Sequence, residues 1–238
     1  MSPQPAVTFK EVSKKFFKGS THYGTLRDDI VGMFSRKPKK NILRSNEFWA
    51  LNKVSFCINR GEKIGLYGPN GSGKSTLLKL IARVITPTEG SVDVNGRIAP
   101  LIELGAGFHP DLDGMENIYM NGAMLGMSFS QIKAKMSSII EYSELESFIT
   151  TPIKKYSSGM KLRLGFSVAI HSQAEIFLLD EILAVGDAEF KQKSFQSIKE
   201  LTRQNKTLLI VSHNKDTLGT LTNRILYLKN GALIEDRT

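Results

Sequence analysis

The run Gly68-Pro69-Asn70-Gly71-Ser72-Gly73-Lys74-Ser75 constrains this chain more than any other stretch. It satisfies the pattern G-x-x-x-x-G-K-[ST]. It follows residues 61–67, Gly-Glu-Lys-Ile-Gly-Leu-Tyr, which pass through an apolar strand, and leads into Thr76-Leu77-Leu78-Lys79-Leu80-Ile81, which reads as a helix. Strand, glycine loop and helix in that order let successive backbone N–H groups turn inward around phosphate oxygens. Lys74 is then set to reach β- and γ-phosphates, and the Ser75 hydroxyl to ligate Mg²⁺. The expected ligand is a nucleoside triphosphate.

Further strand patterns at Ile176–Leu179 and Thr207–Val211 each end in polar residues. The stretch from Phe108 to Ala169 is helix-patterned, so the expected architecture is an α/β core with a helical insertion. In open parallel sheets, ligands bind beyond the carboxyl ends of the strands. Asp180 and Glu181 stand at such an end. Asp180 is the candidate Mg²⁺ ligand, and Glu181 the candidate base that orients and deprotonates the attacking water. His213, after the next strand in Val-Ser-His, is the candidate contact to the γ-phosphate or the water. Near the C-terminus, Asn230-Gly231 between apolar runs predicts a tight hairpin.

Tyr156-Ser157-Ser158-Gly159-Met160 precedes a second helix pattern. The open N–H groups and positive dipole end there suit a phosphate. The same residues also suit a plain helix cap, and the pattern alone leaves both open.

The 238 residues are 41% hydrophobic and 23% charged, enough for one substantial globular core. No run of ~18 apolar residues suggests a membrane span, and the first residues lack the layout of a secretory leader. Cytoplasmic placement is expected. The lone Cys57, in Val54-Ser55-Phe56-Cys57-Ile58, reads as a buried strand residue. Of the formal charge of +9, most sits early: residues 1–48 hold 10 Lys/Arg against 4 Asp/Glu, leaving 22 against 19 for the remainder. Such asymmetry suits nucleic acid, an anionic membrane or a solvated face. Between Phe17 and a strand expected from about Asn52, Thr25-x-x-Asp28 can cap a helix carrying Leu26, Ile30, Met33 and Phe34 on one face. With Arg36-Lys37-Pro38-Lys39-Lys40 beside it, that helix is suited to the inner leaflet or to an anionic lipid-linked glycan, or it packs on the domain itself.

Taken together, the phosphate loop, Tyr-Ser-Ser-Gly-Met, Leu-Leu-Asp-Glu, Ala-Val-Gly-Asp187 and Val-Ser-His resemble the ATP-binding cassette superfamily along essentially the whole chain. The longer stretches LIELGAGFHPDLDGMENIY, YSSGMKLRLGFSVAIH and DEILAVGDAEFKQKSF look like the ATPase subunits that export O-antigen, capsular polysaccharide and teichoic acid. The resemblance implies an α/β fold: a P-loop nucleotide-binding domain with a RecA-like core, an antiparallel β lobe and a helical subdomain. It would be a single domain over 1–238, with an insertion at about 20–48 and the helical subdomain at about 108–170. It also implies a homodimer in which each ATP, with Mg²⁺, lies between the Gly68–Ser75 loop and Thr76 of one copy and Ser157, Ser158 and Gly159 of the other, with Asp187 among the dimer-spanning contacts. Phe16 occupies the place of an adenine-stacking aromatic, with Phe17 and Trp49 as competitors. Glu103 replaces the usual glutamine, suited to Mg²⁺ or to a permease donor.

The function so implied is that of an ATP-hydrolysing motor at the cytoplasmic face of a bacterial inner membrane. It would drive export of a lipid-linked polysaccharide through a separate permease dimer, with no nucleic-acid partner. A soluble cassette ATPase acting on ribosomes or nucleic acid is the competing class, prompted by the pI of 9.5. Such proteins usually carry two cassettes or a long inserted arm. A regulator that binds ATP without turning it over is a third class, disfavoured by the intact set Lys74, Asp180, Glu181 and His213.

Overall fold

The computed structural model describes residues 5–17, 46–102, 104–105, 107–180, 187–212 and 215–237. Glu103, Glu181, His213, the amphipathic stretch around Leu26–Phe34 and the basic run 36–40 lie outside the described residues.

Two sheets sandwich one helix. The smaller sheet is antiparallel, with β1 (Pro5–Phe17) between β2 (Glu47–Asn59) and β4 (Glu89–Val94). The larger is six-stranded, built from β3 (Lys63–Tyr67), β5 (Ile98–Pro100), β6 (Ile176–Asp180), β7 (Thr207–Val211), β8 (Arg224–Lys229) and β9 (Ala232–Arg237). Its order is β5-β6-β7-β3-β8-β9, parallel except for the last pair. The central strands read as continuous apolar runs because both faces are covered. Ile176 and Leu178 of β6 pack towards α1 (Lys74–Ile81) and the small sheet, in a cluster with Leu77, Leu78 and Leu51. Phe177 and Leu179, on the other face, pack with Phe166, Phe190 and Ile198.

Helices α2 (Gly114–Met124), α3 (Phe129–Ser143) and α4 (Ser158–His171) form the helical lobe around Ile118, Ile132, Ile139 and Leu164. Asp113 with Glu116 and Ser128 with Gln131 close capping boxes that fix the starts of α2 and α3. Helix α4 belongs to two cores. Leu164 and Val168 face the lobe, while Phe166 and Ala169 face the large sheet. Helices α5 (Ala188–Arg203) and α6 (Lys215–Leu221) cover the same sheet face, where Ile198, Leu201, Leu218 and Leu221 join the second core.

Asn230 and Gly231 have φ of 50° and 76° and turn β8 into β9, the expected hairpin. Strand β2 differs from expectation. It begins at Glu47 rather than near Asn52, because Glu47, Phe48 and Trp49 continue the ladder with Phe17, Phe16 and Lys15. The Lys15 ammonium pairs at 3.0 Å with the Glu47 carboxylate, whose side chain is only 5% exposed. Cys57 is on β2 as expected, but half-buried.

Candidate functional site: a phosphate cradle and a separate serine-glycine turn

The loop after β3 is shaped by backbone approach. Gly73, the residue ahead of α1, has φ of 106°, and a Cβ there would lie 2.5 Å from the Ala50 carbonyl oxygen. Only glycine fits that position without strain. No side chain caps α1, so its first-turn N–H groups open into the cleft with the positive end of the helix dipole. The loop is braced from behind by the C-terminal hairpin. Gly231 N–H donates to the Ser72 carbonyl at 3.1 Å, and Asn52 N–H donates to the Gly231 carbonyl at 2.8 Å.

Lys74 is 7% exposed and curls back over the loop, donating to the carbonyls of Gly68 at 2.7 Å and Pro69 at 2.9 Å. These bonds hold the ammonium over the cradle. Around it, a cleft of about 410 Å³ gathers Asn70, Gly71, Gly73, Lys74, Ser75 and Thr76. Asp180, the last residue of β6, lines the same cleft, so a hydroxyl and a carboxylate meet beside the phosphate-shaped loop. That donor set fits Mg²⁺, which takes few protein ligands and fills its octahedron with water and substrate phosphates. The cradle fits a triphosphate. Glycine-opened backbone, helix N-terminus and buried ammonium all favour anionic oxygens at one place.

Phe16 also lines this cleft, as expected; Phe17 and Trp49 are not among its lining residues. The second aromatic is Phe48, which sequence reasoning passed over. Phe48 and Phe16 are cross-strand partners with ring centroids 6.1 Å apart, and Ala50 shares their face two residues on. Trp49 points the other way and packs against the Lys15 ammonium, 5.4 Å from its ring centre. The signal was the in-register pairing of Phe16-Phe17 with Glu47-Phe48.

Ser157, Ser158 and Gly159 do not enter that cleft. They line a separate concavity with Met160, Arg163 and Asp187. Ser157 is the N-cap of α4, its Oγ accepting from Met160 N–H at 3.1 Å. Asp187 is likewise the N-cap of α5, accepting from Phe190 N–H at 2.9 Å. Two helix N-termini therefore flank one concavity. That Phe190 bond, and then the Arg163 cation, hold the Asp187 carboxyl below the usual range, although burial opposes them. Arg163 pairs with Asp187 and, at 2.8 Å, with Glu144, while Lys193 reaches Glu144 at 2.7 Å. Ahead of the serines, Tyr156 is buried and donates its hydroxyl to the Phe148 carbonyl at 2.8 Å. Burial pushes this phenol up to about 12.

Comparison with known proteins agrees with this geometry. A family model described as ABC transporter matches residues 51–184. The O-antigen export system ATP-binding protein RfbB of Klebsiella pneumoniae is 41% identical over 232 residues, covering 98% of this chain and 93% of its own length. The teichoic acids export ATP-binding protein TagH of Listeria monocytogenes serotype 4b is 42% identical over 229 residues, covering 96% of this chain and 66% of its own. Among solved structures, the ATP-binding cassette MJ0796, a dimer in a post-hydrolysis state bound to ADP and Pi, superposes with a TM-score of 0.73 at 23% identity and 98% coverage of both chains. The α/β layering, the phosphate cradle and these relatives lead to one conclusion: the chain belongs to the ABC transporter family.

Proposed function

We propose that this chain is the ATP-hydrolysing motor subunit of a bacterial transporter that exports a lipid-linked cell-surface polysaccharide, an O-antigen, capsule or teichoic acid. The observation that carries the ATPase is the meeting of Lys74, Ser75 and Asp180 beneath the glycine loop. What supports the cargo is identity of 41–42% to proteins named for O-antigen and teichoic acid export, over nearly the whole chain.

Lys74 would leave the Gly68 and Pro69 carbonyls for the β- and γ-phosphates, while the backbone N–H groups of Gly71, Gly73 and the first turn of α1 hold the phosphate oxygens. Ser75 and Asp180 would hold Mg²⁺, which supplies neutralisation of charge on those oxygens. Glu181, next in sequence, takes the role of base towards water, and His213, two residues beyond β7, contacts the γ-phosphate. Phe16 stacks on adenine, and Glu103 contacts the metal or the permease.

The separation of the two concavities supports a shared site. In a head-to-tail homodimer the Ser157-Ser158-Gly159 turn of one copy would close over the phosphate loop of the other, with Asp187 at the seam. Binding ATP then joins the copies and hydrolysis releases them, because the γ-phosphate is the common ligand. A separate permease dimer would convert this motion into export and hold the chain at the cytoplasmic face of the membrane. Among the described residues no helix is long and apolar enough to cross a membrane.

Glu181→Gln tests the reading. ATP binding should persist while turnover falls by ~10²–10⁴, and the variant should dimerise when ATP is added. Unchanged hydrolysis would remove Glu181 from its role. Co-purification of the wild type with ribosomes instead of a multi-span membrane protein would overturn the export assignment.

A further inference from the structure

The cleft has two chemically distinct ends. Asn70, Lys74, Ser75, Thr76 and Asp180 make the phosphate end polar, whereas Phe16, Phe48 and Ala50 line the other. Phe48 is 40% exposed, a whole aromatic ring left partly in water at the mouth of a cleft. Its neighbour is fixed by the ladder. Phe16 stands directly opposite on β1, with ring planes inclined by 33° and centroids 6.1 Å apart. A base inserted between two rings needs roughly 7 Å, twice a van der Waals contact. The pair is too close to act as a sandwich. Lys14 already holds its ammonium 5.3 Å from the Phe16 ring centre, so Phe16 is partly engaged before any ligand arrives.

We propose that Phe48 is a second base-stacking residue, forming with Phe16 a two-ring platform across which the purine of the bound nucleotide lies. This rests on the reading of the cleft as the ATP site. Ala50, small and two residues along the same strand face, leaves the span between the rings and the phosphate loop open for the sugar. The competing role for Phe48 is a cross-strand pair that only stabilises the small sheet.

Two ligands separate the roles. ATP carries both base and phosphates, whereas inorganic tripolyphosphate carries phosphates alone. Calorimetric titration of wild type, Phe48→Ala, Phe48→Leu and Phe48→Trp with each ligand, in Mg²⁺, reads the difference. Loss of a stacked ring weakens binding by roughly 5- to 150-fold. Phe48→Ala and Phe48→Leu should show such a loss for ATP and none for tripolyphosphate, and Phe48→Trp should retain ATP affinity. Phe48→Leu keeps apolar bulk in the ladder, so its loss of ATP affinity should come without a matching fall in thermal midpoint. Equal weakening of both ligands, or undiminished ATP binding by Phe48→Leu, would overturn the platform. A wild-type protein that bound neither ligand would instead bring down the nucleotide-site reading, and the platform with it.

Discussion

The Arg163 guanidinium is ion-paired with the Asp187 carboxylate, tying the helix that follows the serine-glycine turn to the N-cap of α5. Arg163 also lies over the Phe190 ring, 5.1 Å from its centre, so a single side chain touches the cap, the first turn of α5 and Glu144 at the end of α3. The concavity proposed to meet a second molecule is thus set by charge pairing as well as by helix starts.

Asp187 does two separable things there. As an N-cap it needs only an acceptor, which Asn supplies as well as Asp. As a partner of Arg163 it needs charge. Asp187→Asn should therefore keep α5 intact while loosening Arg163, and Asp187→Ala should damage both. Because the folded carboxyl titrates below its ordinary value, its contribution is present above the ordinary Asp range and is lost as pH falls through the lowered value. Thermal midpoints of wild type should drop on acidification over that window, with a smaller drop for Asp187→Asn. With the shared-site dimer, ATP turnover by Asp187→Ala should fall roughly tenfold, with ATP affinity of the monomer kept. Loss of monomer affinity would place Asp187 in the wrong cleft.

Glycine positions provide a sharper steric test. Gly73→Ala sets a methyl group against the Ala50 carbonyl in a left-handed backbone conformation, at a cost of ~1–3 kcal/mol. ATP affinity should fall about tenfold or more with it. At Gly219, on α6, a methyl group would meet nothing within 4 Å, and the backbone has no positive φ. There the same substitution should stabilise by about 0.4–1 kcal/mol, leaving ATP binding unchanged. Chemical denaturation and nucleotide titration of the two variants check both signs.

Much of this arrangement was legible in the chain, and what was hidden has a physical cause. The phosphate loop, β6, β7 and the Asn230-Gly231 hairpin are local patterns: short apolar runs bounded by residues with special backbone needs. Strand β2 is not. Its ladder with β1 slips between Phe9 and Val12 and again near Lys14, and Lys53 sits at φ of 48°, so period-two alternation fails midway. The start of the strand was lost with the alternation, and Phe48 with the start. Ser157 and Asp187 show a different limit. Helix-cap and phosphate-binding chemistry use the same residue types, and the structure has both residues capping their helices. Their place in one concavity, apart from Lys74, is a matter of tertiary packing that spacing does not encode.

Arg224 offers a test of the larger sheet's edge. Its guanidinium makes two bonds of 2.6 Å to Asp236 across the β8–β9 pair, and one of 2.9 Å each to Glu62 and the Cys57 carbonyl. The Arg224 side chain is 15% exposed; its bonds to Glu62 and Cys57 are partly shielded, whereas those to Asp236 lie open to solvent. Arg224→Ala removes the donor to Asp236 and one donor to Glu62, which keeps its bonds from the Asn59 N–H and side-chain amide, a loss of about 1–3 kcal/mol in unfolding free energy. Arg224→Lys should recover only part of it, since one ammonium cannot span Asp236 in two places. Denaturant titration of both variants measures the ordering, and equal stability of Lys and Arg would deny the bidentate contact its value.

The phenol of Tyr156 reports on the segment that carries the serine-glycine turn. The ring is 5% exposed, and its hydroxyl donates to the Phe148 carbonyl. Replacement by Phe keeps the ring and removes one of two donors to the Phe148 carbonyl, which still accepts from Thr151 N–H at 2.8 Å, for about 0.5–1.5 kcal/mol. Burial raises the phenol from its ordinary 10.0 to about 12. Below the ordinary value both folded and unfolded chains hold the proton, and the contribution of Tyr156 is fully present. Between the two values the unfolded chain releases a proton that the folded chain retains, so stability declines as pH rises across that window. Burial raises the Tyr142 phenol as well, so spectrophotometric titration of the folded protein should show a late component to which Tyr142 and Tyr156 both contribute, and Tyr156→Phe should lower its amplitude by one phenol. If the late component keeps its full amplitude after the substitution, Tyr156 is not among the buried phenols, and the segment beneath Ser157 is not anchored through its hydroxyl.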